Sequence, residues 1–218
     1  IPPPENSFDL LVIGAGSAGI KAAISAAKLG AKVALADYTA SLGKDMPDKN
    51  VCFNIESLPK KLFSFASNLG YQQDNLDTAG WKADREEAHD WRETAEKITD
   101  YIEQFQCDVK YSLTDNGVKY YNMTARFIDK CTVELVNSQT NKKEIVAAKN
   151  ILIAVGTKPR FLHDIPREHI ITPEEMFYLE ENPGKTLVVG AGATALECAA
   201  FLRGFGNDVT VMVRSAVL

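Results

Sequence analysis

The feature that most restricts this chain is a pattern met twice: a short apolar run, a glycine-rich turn, a helical stretch and a second apolar run. Phe8 to Ile13 has the length and β-branched content of a buried strand and runs into Gly14-Ala15-Gly16-Ser17-Ala18-Gly19. A helix is predicted from Ser17, with Ile20, Ile24 and Ala27 on one face and Gly30 as its stop. Lys32 to Ala36 reads as the next strand. The second occurrence opens at Thr186 to Val189 and turns through Gly190-Ala191-Gly192-Ala193-Thr194-Ala195. Its helix carries Leu196, Ala199, Ala200 and Leu202, and its second strand is Val209 to Val213. Each has the size of one strand–helix–strand crossover, about 30 residues.

Such a turn between strand and helix is a dinucleotide fingerprint. Gly14 permits the tight turn, Gly16 lets a pyrophosphate approach the backbone, and Gly19 lets helix and strand pack closely. Ser17 and Ala18 open the helix, whose free N–H groups face an anion. Asp37 follows 23 residues after Gly14 and suits a ribose hydroxyl while repelling a 2′-phosphate, which points to FAD or NAD. In the second unit Ala195 stands in for the third glycine, and Gly190, Gly192 and Ala193 form the turn. Arg214-Ser215 appears where the acid would be, a cation and a hydroxyl suited to the 2′-phosphate of NADP. Opposite ribose preferences suggest a flavoprotein reduced by NADPH.

Between the units the pattern changes. A helix from Leu58 is predicted from Leu58, Leu62, Phe65 and Leu69, which are four, three and four apart, with a polar loop from Tyr71 to Glu87. His89 to Gln106 reads as a second helix through Trp91, Ala95, Ile98, Ile102 and Phe105. An antiparallel meander is expected over about 109–147, from strands Val109-Ser112, Val118-Tyr121, Ala125-Ile128, Thr132-Val136 and Glu144-Val146. Asn116-Gly117 reads as its first hairpin turn and Asn137 to Lys142 as a longer one. Ile151 to Ala154 restores a buried strand.

Composition matters only for exclusion. The net charge of -5 argues against nucleic acid or an anionic membrane as main partner, and no apolar run approaches the ~20 residues of a membrane helix. Cys52, Cys107, Cys131 and Cys198 lack zinc spacing and are too few for a secreted disulfide framework, so a reducing, intracellular location (cytoplasmic or mitochondrial) is expected. His89, His163 and His169 show no metal-ligand or triad spacing, and no metal site is expected. The Asn122-Met123-Thr124 sequon falls in a predicted strand and is discounted.

A third motif, Cys52-Phe53-Asn54-Ile55-Glu56-Ser57-Leu58-Pro59-Lys60-Lys61, is decisive when joined to His89-Asp90-Trp91, Ile151 to Arg160, and Pro183 through Gly190. With these segments the chain resembles the thioredoxin reductase and glutathione reductase family, the pyridine-nucleotide disulfide oxidoreductases, over nearly its whole length. The resemblance implies FAD, NADPH and a Cys-x4-Cys disulfide beside the flavin. Residues five apart in a regular helix are separated by at least ~7.5 Å of rise, and a disulfide wants Cα atoms within about 7 Å, so the bridge needs a distorted helix entrance. Here Ser57 stands where the family has its flavin-proximal cysteine, Glu56 replaces a glycine, and Lys49-Asn50-Val51 replaces Gly-Gly-Thr. Serine forms no disulfide and is far too weak an acid to supply a thiolate. Cys52, the retained half of the redox pair, then reads as a small buried residue.

The resemblance further implies that Lys60 and Glu197 form the ion pair beside the flavin, that Ala193 replaces a tyrosine gating the nicotinamide pocket, and that Ala154-Val155-Gly156 closes the first half of the FAD domain. The expected fold is α/β, a Rossmann-like two-dinucleotide-binding fold with a meander, truncated in the second βαβ unit. Residues 1–158 would be the FAD domain's first half, and 159–218 a connection and the start of an NADPH domain. Ile1-Pro2-Pro3-Pro4 reads as the start of a trimmed piece, and the half-closed second unit is expected to expose a sheet edge and an uncovered face. Functionally the chain reads as a flavoprotein of redox-homeostasis type that has lost disulfide reduction. The alternatives are a non-catalytic scaffold of a larger assembly and a residual NADPH–flavin oxidoreductase. A homodimer is implied only by the resemblance.

Overall fold

The computed structural model describes residues 7–38, 57–76, 79–80, 89–161 and 165–214. Contacts divide the chain into two compact units, one of Ile1–Ile55 with Glu103–Lys158, the other of Glu56–Ile102 with Pro159–Leu218.

In the first unit, β1 (Ser7–Ile13), α1 (Ser17–Lys28) and β2 (Val33–Asp37) form the expected crossover. Leu10 to Ile13 lie in parallel register with Val33 to Ala36. The sheet continues through β3 (Lys119–Asn122), β4 (Thr124–Phe127), β5 (Thr132–Val136) and β6 (Lys143–Ile153), in the order β3-β2-β1-β6-β5-β4. Phe8, Leu11, Ala34, Ala36, Val133 and Val146 belong to its core cluster. The α/β class is as expected, but three local readings are corrected.

Val109-Ser112 is not a strand. α3 runs from Trp91 to Asp115, and Ile102, Gln106, Val109 and Leu113 are buried at steps of four, three and four, which is helical spacing. Asn116-Gly117 is not a hairpin turn but the stop of α3: Gly117 takes φ +67°, and Val118 N–H donates back to Leu113 O at 3.0 Å. The chain therefore leaves α3 into β3, which pairs parallel with β2 rather than joining the meander. Finally, Glu144-Val146 and Ile151-Ala154 are parts of one strand. β6 pairs antiparallel with β5 over Lys143 to Ala147 and parallel with β1 over Ala147 to Ile153. One strand thus joins the meander to the crossover. The longer turn at Asn137 to Lys142 forms as read, with Asn137 Oδ1 accepting the N–H groups of Gln139 and Thr140.

In the second unit, α2 (Ser57–Asn75) packs on α5 (Ala193–Gly204), and β7 (Thr186–Val189) pairs parallel with β8 (Val209–Met212). A short helix, α4 (Pro173–Met176), supplies Met176, with Phe177 beyond it, to a core of Phe63, Trp91, Ile98, Phe201 and Leu202. The expected face of α2 holds only at its start, where Leu58 and Leu62 pack against this core. Pro59, Phe63 and Ser67 are buried, whereas Phe65 and Leu69 are exposed, and the helix continues past Tyr71. The reason is a close crossing: a Cβ placed on Gly204 of α5 would lie 1.8 Å from Ser67 Oγ and 2.7 Å from Tyr71 Cε2. In the later turns of α2 the small Ser67 opposite Gly204, not Phe65 or Leu69, sets which side meets α5. On the small sheet Leu187, Val189 and Met212 are exposed.

Candidate functional site

The first glycine turn is built by backbone demands. Gly14 takes φ +106° and donates its N–H to Ala36 O at 2.7 Å. A Cβ there would sit 2.3 Å from Ala154 O, and one on Gly19 would sit 1.9 Å from Gly14 O and 3.3 Å from Val12 Cγ1. Strand, turn and helix approach too closely for any side chain at these two positions. Gly16 is the N-cap of α1 in extended conformation (φ −73°, ψ 177°), with no side-chain cap and no acid in the first turn. α4 shows the alternative: Thr172 and Glu175 close a capping box over its N-terminus. α1 leaves its first N–H groups, at Ser17, Ala18 and Gly19, to an anion. Asp37 ends β2, with Oδ1 accepting the Tyr38 N–H at 2.9 Å, and Gly156 follows β6 at φ +69° in open space.

The second turn repeats the first. Gly190 takes φ +127° and donates to Met212 O at 2.9 Å, and Gly192 caps α5 at φ −73°, ψ 164° with neither side-chain cap nor first-turn acid. Both helices stop at a left-handed glycine, Gly30 at φ +89° and Gly206 at φ +88°. Ala195 fits the third position because its Cβ lies 3.7 Å from where Gly190 would carry one, an ordinary contact. Ala193 is exposed at the start of α5, and Arg214 is exposed beyond β8. Ser215 and Cys52 lie outside the described residues, and Ser57 is the first residue of α2.

The family described as pyridine nucleotide-disulphide oxidoreductase matches residues 8–218. The chain belongs to this family. It is 39% identical over 218 residues to "Thioredoxin reductase SEP1" of Emiliania huxleyi, covering 98% of this chain and 43% of that protein. It is also 39% identical over 220 residues to "Thioredoxin reductase 2, mitochondrial" of Drosophila melanogaster, covering 99% of this chain and 42% of that protein. The chain thus spans less than half the length of these relatives. The family's cofactors are FAD and NADPH. The first turn fits the pyrophosphate of FAD: two glycines demanded by packing, an uncapped helix end and an acid at the next strand's end.

Within this member of the family the second unit holds a charged cluster between α2 and α5. Lys60 Nζ lies 2.6 Å from Glu197 Oε2, and Lys61 Nζ donates to Oε1 at 2.7 Å. The Lys60 contact is an ion pair by distance. Lys60 is only 16% exposed against 63% for Lys61, so the inner lysine is the one that depends on the carboxylate. Sequence alone does not single out Lys61, although its place beside Lys60 on a helix is a usable signal. Lys60 and then Lys61 hold the Glu197 carboxyl below the usual carboxylate range. A depressed carboxyl contributes stability that is present above its unfolded value, near 4.5, and is lost as pH falls through the folded value. Melting temperature is accordingly expected to fall less between pH 7 and pH 3 in Glu197→Gln than in the parent. Parallel melting curves would contradict it.

Cys198, next on α5, is buried, and burial pushes its thiol up to about 11, with Lys60 opposing the rise and Glu197 adding to it. Alkylation at pH 8 followed by peptide mass spectrometry should therefore modify the exposed Cys107 and spare Cys198. Equal labelling of the two would show that α5 opens readily. An open cleft elsewhere in the second unit, lined by His89, Asp90, Arg92, Glu180, Glu181 and Asn182, contains none of the sequence-predicted site residues. Among the described residues no group of His, Cys, Asp and Glu is placed to hold a metal, and no helix is long and apolar enough to cross a membrane.

Proposed function

We propose that this chain is the dinucleotide-handling part of a thioredoxin reductase-like flavoprotein of redox-homeostasis type, one that takes electrons from NADPH but no longer passes them through an internal disulfide. The repeated turn carries the reading: two strand–helix crossovers with matching backbone geometry, each with an uncapped helix N-terminus, one followed by Asp37 and the other by Arg214. FAD bound here would supply a two-electron acceptor for hydride from NADPH. The chain's own residues orient the two dinucleotides: backbone N–H groups of Ser17 to Gly19 toward one pyrophosphate, those of Ala193 to Ala195 toward the other, and Asp37 and Arg214 toward the two riboses. Loss of disulfide exchange rests on Ser57, which offers no thiol where the family has its second cysteine. Ala193, without a tyrosine's ring, leaves the nicotinamide side ungated.

The full-length protein, purified and scanned, is expected to show a flavin spectrum that NADPH bleaches, with no reduction of a thioredoxin disulfide. A colourless, folded protein would sink this reading in favour of the scaffold. Turnover of thioredoxin by the unmodified protein would sink the claim of lost disulfide chemistry. A reducing intracellular compartment and assembly as a homodimer belong to the same proposal. They are supported by the sparse cysteines and by the resemblance respectively.

A further inference from the structure

The carboxylate of Glu197 is held by two lysines with different surroundings, and nucleotide binding assigns no role to the outer one. Lys60 and Lys61 are adjacent on α2, so their side chains leave the helix about 100° apart and reach Glu197 from two sides. Lys60 lies on the buried side, near Cys198 and one turn before Phe63, whereas Lys61 lies at the rim. Each takes one oxygen: Oε2 faces Lys60 and Oε1 faces Lys61. A carboxylate held through one oxygen rotates about its last torsion, while one hydrogen-bonded at Oε1 and ion-paired at Oε2 is held in both directions.

We propose that Lys61 is a positioning residue that clamps Oε1 of Glu197 and thereby keeps Oε2 directed at Lys60. The inference deepens the flavoprotein reading and rests on it for its consequence: Lys60 and Glu197 stand beside the flavin only if that reading holds. The clamp itself does not need the flavin. The charged or titratable groups facing Glu197 are Lys60 and Lys61 from α2 and Cys198 from its own helix. Lys61 is the outermost of them, hence the one that salt and substitution reach first.

The test uses full-length protein with Glu carboxyl carbons labelled with carbon-13, and Glu197→Gln to assign the resonance. Lys61→Met is expected to raise the titration midpoint of Glu197, Lys61→Arg to restore it, and 1 M salt to raise it in the parent. A second readout is the pH profile of flavin reduction by NADPH. Its acid limb should move to higher pH in Lys61→Met and return in Lys61→Arg, and the small fall in melting temperature at pH 7 that the raised midpoint entails should be restored by arginine as well. An unmoved Glu197 midpoint in Lys61→Met would overturn the clamp, whatever the flavin does. A moved midpoint in a protein without flavin would leave the clamp standing and overturn the flavoprotein reading instead. A melting temperature that falls along with the midpoint, and is not restored by arginine, would assign Lys61 a merely structural part and also overturn the proposal.

Discussion

Gly14→Ala is expected to cost about 3 kcal/mol or more, the sum of a left-handed backbone imposed on a residue with a Cβ and of a clash that backbone must absorb. At φ +106° alanine is strained before any neighbour is considered. Its Cβ would then lie 2.3 Å from Ala154 O and 2.9 Å from Val155 Cα, which are main-chain atoms at the end of β6 and not a side chain able to swing away. Relief requires parting β1 from β6 where Ala154 N–H donates to Ile13 O at 2.7 Å, or opening the turn that aims α1 at its anion. For a chain of this size the melting temperature should fall by roughly 10 °C, at about 2–4 °C per kcal/mol, and bound flavin should be lost on gel filtration. Two controls separate strain from clash. Gly156→Ala meets only strain, since φ is +69° with nothing near, and should cost about 1 kcal/mol. Gly192→Ala meets neither, at φ −73° in open space, so it should fold normally while crowding the second pyrophosphate site proposed above. A Gly14→Ala protein melting within a degree or two of the parent would mean the turn is looser than its geometry states.

Both crossovers are legible in the sequence because a glycine-rich stretch between a strand and a helix marks a backbone that must turn sharply and approach its neighbours closely, and because the apolar runs beside it are too short for helices. The packing that bears on the charged cluster is harder to read. Leu58, Leu62, Phe65 and Leu69 form a plausible apolar stripe, yet α2 turns Ser67 toward Gly204, since two helices approach most closely where side chains are smallest. Hydrophobicity measured along one helix cannot see the groove on its partner. The β-branched Val109 favours a strand locally, but its neighbours at Gln106 and Leu113 extend the helical spacing of α3, and tertiary burial overrides local propensity. β3 is expected as a strand and forms as one, but its pairing is misread for a related reason: a helix ending in Asn-Gly and a hairpin turning at Asn-Gly look alike until it is known what precedes them. The Lys60–Glu197 approach spans 137 positions of sequence and is implied by resemblance alone; no periodicity or spacing reaches that far.

Phe63→Ala is the second large effect and acts on the charged cluster through packing. Phe63 is fully buried, with ring centroids 5.1 Å from Trp91, 5.5 Å from Phe177, 5.6 Å from Phe201 and 6.2 Å from Phe205. Truncation removes the transfer energy of the ring and leaves a cavity whose walls are other aromatic rings, tied down in turn by Trp91 Nε1–H donating to Leu179 O at 2.9 Å. Such walls collapse poorly, so the cost belongs in the range of about 3–5 kcal/mol. Phe65→Ala, two residues along the same helix but exposed, should stay within about 0.5 kcal/mol. Because Lys60 is one turn before Phe63, loosening this contact frees α2 to move on α5, and Lys60 with it. The Phe63 variant is therefore expected to label at Cys198 under the alkylation that spares the parent, even below its melting transition. If Cys198 stayed protected while stability fell by the full amount, the aromatic cluster would stabilise the unit without holding α2 against α5, and the helix approach that brings Lys60 to Glu197 would rest on the Gly204–Ser67 crossing.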